Sequence, residues 1–130
     1  MTTRSTVDVT TEQFDSILET PGQIVLLDWW AAWCGPCRAF APIYEAAAAL
    51  HPDIVFGKVD TEAETELARA FEIRSIPTLM VFRDGILLFA QPGMLPAQAL
   101  EALIKQVRAL DMDEVRRKIA ELEEPAAATG

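Results

Sequence analysis

Ile24-Val25-Leu26-Leu27 is a continuous apolar run that ends on an acid, Asp28. A strand with apolar side chains on both faces must be covered on both faces, so this run predicts a central strand between two helical layers. The flanking sequence supplies those layers. Thr10 heads a helix with Gln13 as its capping-box partner and Phe14, Ile17 and Leu18 as its apolar side. An alanine-rich helix follows Cys34 and runs to about Leu50, where His51-Pro52-Asp53 stops it; Pro42 inside it predicts a kink. Val7-Asp8-Val9 and Ile54 to Asp60 read as further strands, and Glu62 to Phe71 as a polar helix burying Leu67, Ala70 and Phe71. In RSIPTLMVFRDGILLFA two apolar strands flank Asp84-Gly85, a strong hairpin signal. Pro92-Gly93 breaks the pattern, and Leu100, Leu103, Ile104 and Val107 then recur at helical spacing. Alternating strands and helices closed by a hairpin predict an α/β fold: a central mixed five-stranded sheet with helices on both faces.

The chain has 130 residues, 51% of them hydrophobic, enough for one globular domain over residues 1–110. Asp111-Met112-Asp113-Glu114 starts an additional C-terminal helix over residues 111–124, with Val115, Ile119 and Leu122 as its apolar stripe and Glu123-Glu124-Pro125 as its end. Such a helix packs on its own domain, against a sister chain, or against a docked partner. Residues 125–130 are expected to be a disordered tail. The net charge of −9 argues against nucleic-acid binding, which needs a basic footprint. The N-terminus lacks the apolar core of a secretory leader, and no apolar run has the length of a membrane span, so a cytoplasmic protein is expected.

That setting matters for the two cysteines, Cys34 and Cys37. In the cytoplasm a Cys-X-X-Cys pair is more often catalytic or metal-binding than a structural staple. Cys34 falls where the strand and loop turn into the alanine-rich helix, and Pro36 is tolerated in the first helical turn. A thiol at a helix N-terminus gains thiolate character from the macrodipole and the free backbone N–H groups. Residues three apart on a helix share a face, roughly 5–6 Å apart, which is disulfide reach. With one histidine, His51, the chain cannot complete a four-ligand zinc site alone. A metal site or cluster shared between two chains and an inert disulfide remain as alternatives to redox chemistry. His51 itself reads as a helix-end residue favoured there when charged, and Glu62, Glu64 and Glu66 as a solvated face.

WCGPC after an apolar strand resembles the active-site motif of the thioredoxins. The resemblance covers about Val7 to Leu110 and takes in Asp28, Trp30, Pro42, Lys58, Ile76-Pro77-Thr78, Asp84-Gly85 and Gly93. It implies the thioredoxin fold and a protein disulfide reductase. Cys34 would be the exposed nucleophile and Cys37 the more buried resolving residue, cycling through a mixed disulfide. Asp28 would lie beneath Cys37 and assist its deprotonation, with Lys58 paired to it. Burial of an acid raises its pKa toward the range where it exchanges protons near neutrality. Pro77 would be a cis-proline facing the disulfide. Trp33, Gly35, Pro36, Ile76 and Gly93 would line a shallow apolar groove for an extended client segment. Trp30 would pack on the active-site loop and Trp29, on the opposite strand face, in the core. Electrons would come from a thioredoxin reductase, ultimately from NADPH or ferredoxin, and pass to disulfide-containing client proteins. No metal and no bound cofactor are implied, and the chain is expected as a monomer or weak dimer. Alternative readings are a disulfide oxidase or isomerase, or a redox-linked chaperone or adaptor docking through the C-terminal helix. Pro92 and Met94 stand where the family more often has a β-branched residue and an alanine, and Met94 is expected to reshape the groove.

Overall fold

The computed structural model describes residues 5–123. Five strands form one mixed sheet: β1 (Thr6–Asp8), β2 (Ile24–Trp30), β3 (Val55–Asp60), β4 (Thr78–Arg83) and β5 (Ile86–Pro92). Five helices accompany them: α1 (Thr11–Leu18), α2 (Gly35–Leu50), α3 (Thr65–Ala70), α4 (Ala97–Ala109) and α5 (Met112–Glu123). The strand order is β1-β3-β2-β4-β5, which puts the apolar β2 run at the centre as expected. β1, β3 and β2 run parallel; β4 is antiparallel to β2, and β5 to β4. The β4–β5 turn uses Asp84 and Gly85 at φ 56° and 76°, positive values at both central residues, as a tight hairpin requires.

The period-2 alternation of β2 sends its side chains to two different interiors. Ile24 and Leu26 pack with Phe40, Tyr44, Leu100 and Ile104, so α2 and α4 cover that face. Val25, Leu27 and Trp29 pack with Phe14 of α1 and Leu67 of α3 on the other. Phe71 meets Phe14, Trp29 and Phe82 there, with ring centroids 5.2, 5.4 and 6.3 Å apart. Offset and edge-on ring pairs of this kind add to the burial of the rings themselves.

Three expectations are corrected. α3 begins at Thr65, later than Glu62, because the Asp60 carboxylate accepts from the Glu62 and Ala63 backbone N–H groups (2.9 and 3.3 Å) and holds a turn there. Ala70 is exposed and Ala68 is half-buried in its place, because the shorter helix turns a different edge inward. Glu64 is no idle surface acid: it accepts from the Thr11 N–H (2.9 Å) and hydroxyl (3.2 Å), tying the starts of α1 and α3 together. His51 caps the end of α2, as its helix-end position predicts. Its Nδ1 lies 3.0 Å from an Arg108 N–H donor and its Nε2 2.7 Å from the Glu101 carboxylate. Arg108 has only protons to give, so Nδ1 accepts from it.

The C-terminal helix forms as the sequence predicts, and it lies on its own domain. Asp111 caps it, accepting from the Asp113 and Glu114 N–H groups (3.0 and 3.3 Å). Met112 is buried, Val115 and Ile119 are half-buried, and Arg116 reaches Asp84 of the hairpin turn at 3.2 Å. Arg83 secures the approach, donating from Nη1 to the Val107 and Leu110 carbonyls (2.8 and 3.2 Å) at the end of α4. Leu122, the last member of the expected stripe, is 79% exposed. The expected tail, residues 125–130, lies outside the described residues.

Candidate active site

β2 delivers its C-terminal end to the start of α2, and the two cysteines sit at that junction. Cys34 is the N-cap of α2, with extended backbone (φ −87°, ψ 113°). Its Sγ accepts from the Cys37 N–H at 3.2 Å. A disulfide joins Cys34 to Cys37, with Cα atoms 5.2 Å apart. The first turn thereby brings one of its free N–H groups onto the sulfur, the feature that favours a thiolate when the pair is reduced.

Cys34 differs from the expectation of an exposed nucleophile: only 4% of it is accessible, close to the 3% of Cys37. The sulfur is turned inward by its bond to Cys37, pinned by the Cys37 N–H, and backed by the Ile76 carbonyl oxygen at 3.7 Å. That carbonyl is placed by a cis peptide bond between Ile76 and Pro77. The Pro77 carbonyl in turn accepts from the Gly93 N–H at 2.7 Å, where Gly93 adopts φ 96°. Three separate stretches of chain thus meet at the disulfide: the β2–α2 junction, the start of β4 and the end of β5.

Trp33 projects beside the pair, 67% exposed. With Ile76 it lines an open depression of about 280 Å³. Gly35, Pro36 and Gly93 are exposed but do not line this depression. Nor is it wholly apolar: Thr61, Glu62, Thr65 and Arg74 complete it, because the 61–65 turn comes up against the active-site loop. Arg38, just past Cys37, donates to the Ala32 carbonyl at 2.8 Å and braces that loop, a contact with no signal in the sequence.

Near the C-terminal end of β2, Asp28 has no accessible surface. It shares a sheet face with Ile24 and Leu26, the face covered by α2. On α2, Cys37, Phe40, Tyr44, Ala47 and Ala48 form the buried stripe, so Cys37 is the end of that stripe nearest the C-terminal end of β2. Neither Asp28 carboxylate oxygen has a hydrogen-bond partner among the described residues. Burial pushes the Asp28 pKa up from 3.8 to about 7, and the positive charge of Lys58 offsets part of that rise. Lys58 is the register neighbour of Asp28 on β3. Its ammonium lies over the Trp30 ring, 4.9 Å from the centroid, in place of a hydrogen bond to the acid. Trp30 therefore touches Lys58, and the i, i+2 spacing of Asp28 and Trp30 is the sequence signal for it.

No group of three or more His, Cys, Asp and Glu side chains among the described residues could hold a metal ion. No described helix is long and apolar enough to cross a membrane.

The thioredoxin family model matches residues 5–106. A putative thioredoxin 2 of Streptomyces coelicolor is 59% identical over 117 residues, covering 90% of this chain and 87% of that protein. An alignment of 117 residues must extend into α5, whereas the family model ends within α4. A thioredoxin of Mycoplasmoides gallisepticum is 39% identical over 93 residues, 72% of this chain and 92% of that one. Among solved structures, spinach chloroplast thioredoxin f superposes with a TM-score of 0.73 at 30% identity, covering 84% of this chain and 99% of that one. Family model, relatives and disulfide geometry agree: the chain belongs to the thioredoxin family and is a thiol–disulfide oxidoreductase.

Proposed function

We propose that this protein reduces disulfides in client proteins, with Cys34 as the nucleophile, Cys37 as the resolving thiol and Asp28 as the group that takes the Cys37 proton. In the reduced protein the Cys34 thiolate attacks one sulfur of a client disulfide. A Cys34–client bond forms, and the other client sulfur leaves as a thiolate that solvent protonates. Cys37 then gives its proton to the Asp28 carboxylate and attacks Cys34 Sγ. The Cys34–Cys37 bond forms, the Cys34–client bond breaks, and the second client sulfur leaves and is protonated. Two electrons have passed from the dithiol to the client.

The observation that carries this reading is an unpartnered, fully buried carboxylate on the sheet face under the Cys37 end of α2. A buried acid poised near neutrality is a proton acceptor, whereas one locked in an ion pair is not. Pro77 presents the Ile76 backbone beside the sulfur, so an extended client segment can pair with it while its side chain rests against Trp33. Gly35 and Pro36 leave the approach to Cys34 low, and Gly93 holds the Pro77 carbonyl from behind. Lys58 sets the charge around Asp28. A thioredoxin reductase returns electrons to the Cys34–Cys37 disulfide, and the cycle needs no bound cofactor. The working compartment is the cytoplasm, and the active unit is a monomer or weak dimer.

The test is reduction of insulin driven by NADPH and a thioredoxin reductase. Cys34→Ser is expected to lower turnover by at least about three orders of magnitude. Cys37→Ser is expected to accumulate the mixed disulfide with Cys34, visible as a covalent adduct under non-reducing conditions. Substantial turnover by Cys34→Ser would remove the proposed nucleophile.

A further inference from the structure

Lys58 has two neighbours to choose between. Asp28 is beside it in register on β2, and Trp30, two residues on, is on the same face of the sheet. Opposite charges side by side in a buried setting attract strongly. Yet the Lys58 ammonium lies over the Trp30 ring, and both Asp28 oxygens are left without a hydrogen bond. The face of an indole is the best aromatic partner for an ammonium, more so when water is excluded. The Trp30 Nε1–H is also without a described partner, so the ring offers its face and little else.

We propose that Trp30 is a positioning residue for the resolving step: its ring holds the Lys58 ammonium off Asp28 and so keeps the carboxylate free to take the Cys37 proton. This rests on the reading of Asp28 as proton acceptor. The titratable groups facing Asp28 are few. β3 contributes Lys58, and α2 contributes the Tyr44 phenol and Cys37. β4 places Leu79 in register with it, and α4 presents Leu100 and Ile104. Tyr44 is committed to the Gly57 carbonyl at 2.8 Å, so among the described residues Lys58 is the cation whose position changes the acid's proton affinity.

Without the ring, the ammonium relaxes toward its register neighbour. A cation moved into contact lowers a carboxyl pKa by about 1–3 units. Asp28 would then be a weaker base, and the closing of the Cys34–Cys37 disulfide would slow at neutral pH.

The experiment follows the Asp28 side-chain carboxyl by 13C NMR against pH in wild type, Trp30→Leu, Lys58→Met and the double variant. Trp30→Leu is expected to move the midpoint down by about one pH unit or more. In the Lys58→Met background the same Trp30→Leu change is expected to shift nothing, because the cation it released is gone. An equal shift in both backgrounds, or none in either, would overturn the proposal. Should Trp30→Leu fail to fold, the wild-type protein decides. The Lys58 ε protons are expected to show an upfield ring-current shift, and their resonance at the ordinary lysine position would sink the idea. The pH profile of mixed-disulfide resolution, run beside Asp28→Asn, separates the two layers. A profile unchanged by Asp28→Asn removes the proton-acceptor reading, whereas the carboxyl titrations judge the tether independently.

Discussion

The two faces of β2 are built to opposite rules. Val25, Leu27 and Trp29 enter a box of Phe14, Phe71, Phe82 and Met80 in which Trp29 has no accessible surface. One residue along, Asp28 is equally buried, but as a lone carboxylate. The α1/α3 face is dominated by apolar contact and ring pairing and carries no buried charge among the described residues. The α2/α4 face carries the same apolar packing near Ile24 and Leu26, then gives way to a charge at the end that meets the disulfide. One strand thus buries a large ring on one side and an acid on the other. Burial that stabilises a tryptophan destabilises an ionised aspartate.

The comparison can be broken first on its dry side. Trp29→Ala is expected to cost about 3–5 kcal/mol, since the ring meets Phe71 and fills the middle of the box. Urea unfolding measures it, and a loss below about 1 kcal/mol would mean the α1/α3 face is not the stabilising one.

On the side of the buried acid a substitution should act in reverse. The Asp28 pKa is raised in the fold, from 3.8 to about 7, so the native state holds a proton that the unfolded chain has released between those values. Stability contributed by the neutral acid is full below pH 3.8 and is lost as pH rises to about 7. Asp28→Asn removes that loss. Its stabilising effect is therefore expected to grow from pH 4 to pH 8, toward an upper bound on the order of 4 kcal/mol. Unfolding midpoints of the oxidised proteins at the two pH values test the sign; a difference that shrinks with pH would contradict the burial argument.

The same substitution carries a kinetic cost. Mixed-disulfide resolution in wild type is expected to rise with pH through about 7. In Asp28→Asn it should be slower by about 10² or more, the usual contribution of a positioned base. Single-turnover release of a labelled client thiol resolves the two. The smallest effect is expected at the far pole. Removing α5 after Leu110 takes away the burial of Met112 and the Arg116–Asp84 contact. A loss of about 1–3 kcal/mol is expected, with insulin reduction unchanged. Unchanged stability would mean α5 adds nothing to its own domain and would move its purpose to a partner.

Much of this was legible early. The continuous run at Ile24–Leu27 announced a central strand, and the Asp84-Gly85 turn announced the closing hairpin. The cysteine pair was legible through the motif and its resemblance. Boundaries were less so. The late start of α3 depends on Asp60 capturing two backbone N–H groups, which competes locally with helix in a way that composition does not reveal. The hydrogen bond at His51 Nδ1 depends on an arginine more than fifty positions away in the chain.

By itself the sequence determined the element order, the two-faced strand and the placing of two thiols one helical turn apart, because each of these follows from local periodicity and spacing. Only the tertiary structure decided that Cys34 is covered in the oxidised form, that the depression beside Trp33 has a polar rim, and that Lys58 rests on Trp30 and leaves Asp28 without a hydrogen-bond partner among the described residues. Those outcomes are choices between competing neighbours brought together from separate strands. A side chain with two attractive partners in reach is assigned by three-dimensional distance and solvent exclusion, and neither is written in the order of residues.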